Sequence, residues 1–178
     1  MPALNGELIP VGTVNETQCY FRLMKFIEGV HLDCLEAYSK PFLRYVGRVL
    51  GEMSSILKSY PHQVSSDFMF SYDVDFVKGC MNKGNEAVIR HFSRNYEEVV
   101  LPSLAKIPKV VIHGDFHPEN ILVDAETQKI IGIIDFAACG QSHCGYDLGI
   151  IMCHLLAEKQ KCRFEDIGEL LVGFCEVH

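Results

Sequence analysis

Twelve consecutive residues carry most of the chemistry open to this chain: His113-Gly114-Asp115-Phe116-His117-Pro118-Glu119-Asn120-Ile121-Leu122-Val123-Asp124. Ile133-Ile134-Asp135-Phe136 follows shortly after. A polar loop leaves one apolar run and re-enters another within about seven residues. Its polar groups are thereby held at the edge of a core, on a rigid support. Asp115 and Asn120 stand across that loop, and a tight hairpin between Asn120 and Asp135 would bring those two residues together. Oxygen-bearing side chains converging at a hairpin mouth suit a hard cation such as Mg²⁺, with phosphate oxygens and waters completing its shell. Asp115 beside them is placed to accept a proton from a hydroxyl nucleophile. Phosphoryl transfer needs this combination, because cations neutralise phosphate charge while a carboxylate orients the attacking oxygen.

Each residue also has a plainer reading. Asp115 alone could shape a turn after a strand, Asn120 could cap a turn, and Asp135 could end a strand. Their joint occurrence favours the chemical reading. His113 reads as an interior histidine that satisfies backbone groups, and Asp147 as a helix cap. A different chemistry also fits the letters. His113, Asp115 and His117 alternate, and on a strand they would share a face as the metal triad of a hydrolase. Gly114 and Pro118 argue against a continuous strand there.

The elements that must position these residues follow from hydrophobic period and turn chemistry. Residues 7–12 and 18–27 read as two strands of a hairpin about Asn15-Glu16, with a break at Glu28-Gly29. Ser39 and Pro41 open a helix over 40–59, where Phe42, Tyr45, Val46, Val49, Leu50 and Met53 recur at helical spacing. Residues 61–82 read as loop with a short helix. Val88 to Leu104 gives a second long helix, stopped by Pro108. Lys109–Ile112 is a short β-branched strand. Ile121–Asp124 and Ile130–Ile134 are two more strands, about a turn at Ala125–Lys129. Residues 136–145 read as a mobile loop. Helices are expected from Tyr146 to about Lys159 and from Phe164 to Cys175. A strand pair, helices, a small strand cluster and more helices predict an α+β fold.

Composition bounds the rest. The chain has 178 residues, 48% apolar and 22% charged, the figures of a globular domain of average size. Its formal charge of -7 repels a phosphate backbone and argues against nucleic-acid partners. No stretch reaches the roughly 18 apolar residues of a membrane span, and the N-terminus lacks the pattern of a secretory signal. The eight cysteines form no C-x-x-C pair. They are expected to be reduced, mostly buried thiols of a cytoplasmic protein.

The spacing H-x-D-x-x-x-x-N followed by D-F is that of the catalytic and metal loops of protein kinases. With Tyr146-Asp147-Leu148-Gly149 added, the sequence resembles the aminoglycoside phosphotransferase/choline kinase-like family. These are small-molecule kinases with a protein kinase-like fold. Only residues 113–149 are motif-grade. Diffuse support comes from Tyr20 to Gly29, Asp67-Phe68-Met69-Phe70-Ser71 and Leu171-Val172-Gly173-Phe174. The resemblance implies Asp115 as catalytic base, Asn120 and Asp135 as Mg²⁺ ligands, and Met24, Lys25 and Phe26 as a nucleotide-facing hinge. It implies that His113 braces the loop and that Asp147 orders it from the head of a helix. The implied reaction transfers the γ-phosphoryl of GTP or ATP to a hydroxyl of an amino-acid or amino-alcohol acceptor. The first acceptor implied is 5-hydroxylysine, with choline, ethanolamine and homoserine as alternatives. A glycine-rich G-x-G-x-x-G loop and a V-A-I-K-like strand are absent from the sequence. Residues 1–27 are therefore expected to be a remnant of the N-terminal lobe and hinge. Residues 28–178 would be a C-terminal catalytic lobe that stops before the family's final helices. Action by binding alone stands as the non-catalytic alternative.

Overall fold

The computed structural model describes residues 9–61, 78–79, 82–157 and 161–177. Its elements run β1 (Val11–Val14), β2 (Thr17–Tyr20), β3 (Val30–His31), α1 (Lys40–Lys58) and α2 (Glu86–Asn95). A π turn (Tyr96–Val100) and a last helical turn (Leu101–Leu104) prolong α2. Then come β4 (Lys109–Ile112), β5 (Ile121–Val123), β6 (Ile130–Ile133), β7 (Gly140–His143), α3 (Tyr146–Ala157) and α4 (Phe164–Cys175). The mixed α+β character matches the sequence reading.

Helix α1 forms because its apolar residues fall on one face. Phe42, Leu43, Val46, Leu50 and Met53 are all buried. The Ser39 hydroxyl accepts the Phe42 N–H at 3.3 Å, and Pro41 sits in the first turn, where its missing N–H has no partner to lose. The buried face of α1 packs along α4, which contributes Ile167, Leu170 and Phe174 to the same core. Glycines permit the close crossing. A methyl on Gly47 would fall on the Leu170 carbonyl, and one on Gly173 on the Arg44 carbonyl. Charged groups clamp both ends. Asp166 meets Lys40 at 3.3 Å and Arg163 at 3.0 Å, while Glu176 accepts from Arg44 Nε at 2.7 Å and from Arg48 at 3.3 Å.

Among the described residues, three small antiparallel sheets complete the architecture. In the β1–β2 hairpin, Asn15 and Glu16 both take positive φ (47° and 67°), as a two-residue hairpin turn requires. A second sheet has the order β3-β5-β6, with Ile121 opposite Ile133. The third pairs β4 with β7, Lys109 opposite His143 and Ile112 opposite Gly140. Buried Leu32, Phe116, Ile121 and Val123 join the helical core, so the polar loop between β4 and β5 rests directly on it.

Three expectations are corrected. The strand read over 18–27 ends at Tyr20. Phe21, just beyond it, gives its N–H to the Pro10 carbonyl at 2.9 Å. The loop read as mobile over 136–145 is ordered into a tight turn (Phe136–Ala138) and strand β7. None of the cysteines among the described residues is fully buried, and Cys34, Cys153 and Cys175 are exposed. The Asp67–Ser71 stretch and most of 61–82 lie outside the described residues. Among the described residues no helix is long and apolar enough to cross a membrane.

Candidate active site

The loop from His113 to Asn120 is built by backbone geometry first. Gly114 takes φ 85°, a left-handed conformation that side chains with a Cβ disfavour, and turns the chain off the end of β4. The next residues bury Phe116 completely and leave Asp115 facing outward, its side chain 45% exposed. His117 N–H bonds back to the Asp115 carbonyl, and Asn120 N–H to the His117 carbonyl, both at 2.9 Å. The tight turn Pro118–Asn120 then delivers the chain into β5.

Asn120 is buried, and its amide nitrogen points at Asp115. Nδ2 lies 2.9 Å from the Asp115 carbonyl and 3.2 Å from carboxylate oxygen Oδ2. Both are acceptors, so the amide donates to them and its oxygen Oδ1 occupies the other end. Across the hairpin, the Ile134 N–H bonds the Asn120 carbonyl at 3.0 Å, which sets Asp135 one residue beyond that closing pair. Asp135 holds φ 60°, ψ 64°, and its carboxylate accepts the Ala137 N–H at 3.3 Å. A left-handed aspartate costs conformational energy and persists only where its surroundings enforce it.

The loop is braced from three elements. Asp147, in the first turn of α3, accepts the N–H groups of His113 and Gly114, each at 2.8 Å. Burial pushes its carboxyl above the usual aspartate range; the two N–H bonds oppose that shift without cancelling it. His113, fully buried, donates from Nε2 to the Ile134 carbonyl at 2.9 Å and accepts the Asp115 N–H at Nδ1 at 3.3 Å. His31 of β3 bonds the Glu119 carbonyl.

The structure thus brings Asp115, Asn120, His113 and Asp147 into one hydrogen-bonded group, with Asp135 at the same hairpin mouth. Met24, Lys25 and Phe26 are exposed rather than strand residues. Their segment runs past β6, where Ile27 lies over Gly132 and Ile131 lies against Gly29. The hydrolase triad does not form. Both ring nitrogens of His113 are engaged within the protein, 113–117 is not a strand, and no three His, Cys, Asp or Glu gather as metal ligands among the described residues. Cys139 donates to the Ile112 carbonyl at 2.9 Å and burial raises its thiol, which disfavours the nucleophilic thiolate.

Two residues at the site escaped the sequence reading in this role. His117 Nε2 lies 3.2 Å from Asn120 Nδ2 and 3.4 Å from Asp115 Oδ2, and its ring stacks on His154 of α3 at 5.0 Å. Its place inside the Asp115–Asn120 interval was the available signal. His154 carried no local signal at all.

Comparison with known proteins bears on this geometry. The family described as "Phosphotransferase enzyme family" matches residues 2–169. A hydroxylysine kinase of Mus musculus is 23% identical over 94% of this chain and 49% of its own length. One of Xenopus laevis is 26% identical over 98% and 51%. The chain spans about half the length of the curated relatives it matches. Among solved structures, an amicoumacin kinase in complex with AMP-PNP, Ca²⁺ and Ami superposes with a TM-score of 0.64, at 15% identity over 97% of this chain and 53% of that one. A microcompartment-associated aminopropanol kinase superposes with a TM-score of 0.62, at 17% identity over 100% and 58%. The fold shared with these kinases is the protein kinase-like one.

Proposed function

This chain belongs to the phosphotransferase enzyme family, and from that premise we propose that it supplies the catalytic part of a small-molecule kinase. The reaction is transfer of the γ-phosphoryl group of GTP or ATP to the hydroxyl of an amino-acid or amino-alcohol acceptor. The foremost acceptor is 5-hydroxylysine, supported by the names of the curated relatives; the aminopropanol kinase neighbour supports the wider amino-alcohol class. The observation that carries the reading is the contact of Asp115 with Asn120 at the mouth of the β5–β6 hairpin, where Asp135 also stands.

Asp115 is the general base. Its half-exposed carboxylate takes the acceptor's hydroxyl proton as that oxygen attacks the γ-phosphorus. The new O–P bond forms while the bond to the bridging oxygen breaks, and a nucleoside diphosphate leaves. Asn120 and Asp135 are the residues that would hold Mg²⁺. An amide oxygen and a carboxylate are the hard donors this ion takes, and a site using few protein ligands leaves room for phosphate oxygens. When bound, the ion neutralises charge on the phosphates. His113 and Asp147 hold the loop in register. Met24, Lys25 and Phe26 face the nucleotide, a role supported by the course of their segment past β6. In this reading residues 1–27 belong to an N-terminal lobe and hinge, residues 28–178 to a catalytic lobe, and the protein works in the cytoplasm.

A second reading, action by binding without turnover, draws on the exposed apolar row Tyr20, Phe21, Leu23, Met24 and Phe26. A phosphate-transfer assay separates the two. It uses a panel of amino-acid and amino-alcohol acceptors, both nucleotides, this chain, and a version extended to a full N-terminal lobe. Asp115→Asn is expected to lower turnover by about 10²–10⁴ while leaving Mg²⁺-nucleotide binding intact. Equal turnover in that variant removes Asp115 from the mechanism. Nucleotide binding without turnover in either version selects the second reading.

A further inference from the structure

We propose that His117, seated on the ring of His154, is a positioning residue for this site. It accepts a hydrogen bond from the Asn120 side chain and so keeps that amide's oxygen turned away from Asp115, toward the place a cation would take. The inference rests on the function proposed above and deepens it.

The argument runs from donors and acceptors. Asn120 Nδ2 carries two protons and has three neighbours: the Asp115 carbonyl at 2.9 Å, Asp115 Oδ2 at 3.2 Å and His117 Nε2 at 3.2 Å. The first two can only accept, which fixes the amide with its nitrogen inward. In the proposed arrangement His117 Nε2 presents a lone pair to the amide; in the opposite tautomer its proton would turn to Asp115 Oδ2 at 3.4 Å instead. That arrangement places the ring proton on Nδ1. One amide proton satisfies the Asp115 carbonyl, and the other is shared between Asp115 Oδ2 and His117. The amide contact, at 3.2 Å, is the shorter of the two that Nε2 makes here, the other being Asp115 Oδ2 at 3.4 Å.

His117 is held for this task. Its side chain is only 16% exposed. The His154 ring of α3 stacks on it, 5.0 Å away and 22° from parallel. The same helix holds the start of the loop through Asp147. Helix α3 therefore supports the loop at two points. Asp147 sets where Asp115 begins, and His154, through His117, joins the Asp115 acceptors in holding how Asn120 is turned.

Two measurements on the full chain test this. The first is a long-range ¹H–¹⁵N correlation of ¹⁵N-histidine-labelled protein at pH 8, where imidazole is ordinarily neutral. It should show His117 protonated on Nδ1 and accepting at Nε2; a proton on Nε2 overturns the proposal. The second compares His117→Leu with His117→Gln, whose side-chain oxygen can still accept from Asn120. Mn²⁺·AMP-PNP affinity, read by electron paramagnetic resonance, should fall at least fivefold in the leucine variant and return to within twofold in the glutamine variant. Turnover should follow with a lowered kcat and an acceptor KM within twofold. Unchanged Mn²⁺·AMP-PNP affinity in a folded leucine variant, or no rescue by glutamine, overturns the proposal. His117→Ser asks the same question should leucine fail to fold. Because the tautomer and Mn²⁺ readouts need no turnover, they separate this inference from the kinase reading, which the Asp115→Asn assay decides.

Discussion

Asp147 keeps an ionisable group at 3% exposure because two backbone N–H groups meet its two oxygens. Asp147→Ala strands both donors inside the protein and should cost roughly 2–5 kcal/mol, read from urea unfolding. Asp147→Asn retains one acceptor oxygen and should fall between the two. At this scale the sequence was legible where chemistry is local. The interval from His113 to Asn120 gave the loop, because its turn, its carboxylate and its amide are all neighbours in the chain. His154 was not legible, since only the path of α3 brings a residue 37 positions away onto His117. His113 could be read as an interior histidine, but its two partners, the Ile134 carbonyl and the Asp115 N–H, depend on how β6 closes the hairpin.

At the scale of elements, the α1–α4 crossing invites a paired test. Gly173 faces the Arg44 backbone, whereas Gly168 on the same helix has open space. Gly173→Ala should destabilise by roughly 1–3 kcal/mol through overpacking. Gly168→Ala should stabilise by about 0.5–1 kcal/mol through helix propensity. Thermal melts of the two variants should move in opposite directions. The clamp at the end of the crossing has a pH signature. The Arg44 hydrogen bond holds the Glu176 carboxyl below the usual glutamate range, so this contribution is complete above that range and fades as pH falls through the lowered value. Glu176→Gln should flatten the acid side of the stability–pH curve. Asp147 works in the opposite sense. Its raised value favours the fold at low pH, and that contribution disappears as pH rises through it. Helices α1 and α4 could be read from apolar period alone. Strand β7 could not, because Gly140-Gln141-Ser142-His143 has no β-branched residue and becomes a strand only by pairing with β4. The segment after Tyr20 differed in the other direction: its apolar residues suggested a longer strand, whereas β2 ends at Tyr20.

Across the whole molecule, order is unevenly distributed. The α1–α4 face and the sheet beneath the loop share one buried cluster, while Val11, Val14 and Tyr20 of the β1–β2 hairpin remain exposed. Hydrogen exchange should therefore rank the amides. Those of the β1–β2 hairpin should exchange first by local opening, and those of Leu43 to Leu50 and of Ile167 to Phe174 last, near the global unfolding limit. Mass spectrometry of exchanged peptides reads that order directly, and equal protection of hairpin and helices would contradict it.

The double hydrogen bond from Asp147 also governs when the loop can take shape during synthesis. A ribosome that has released β4 has exposed the N–H groups of His113 and Gly114 but not the carboxylate that receives them, which follows 34 and 33 positions later. The β6 closure through Ile134 becomes available first, and the nascent loop gains this anchor only when Asp147 follows. Competence at this site is thus a late event in translation, set by the arrival of α3.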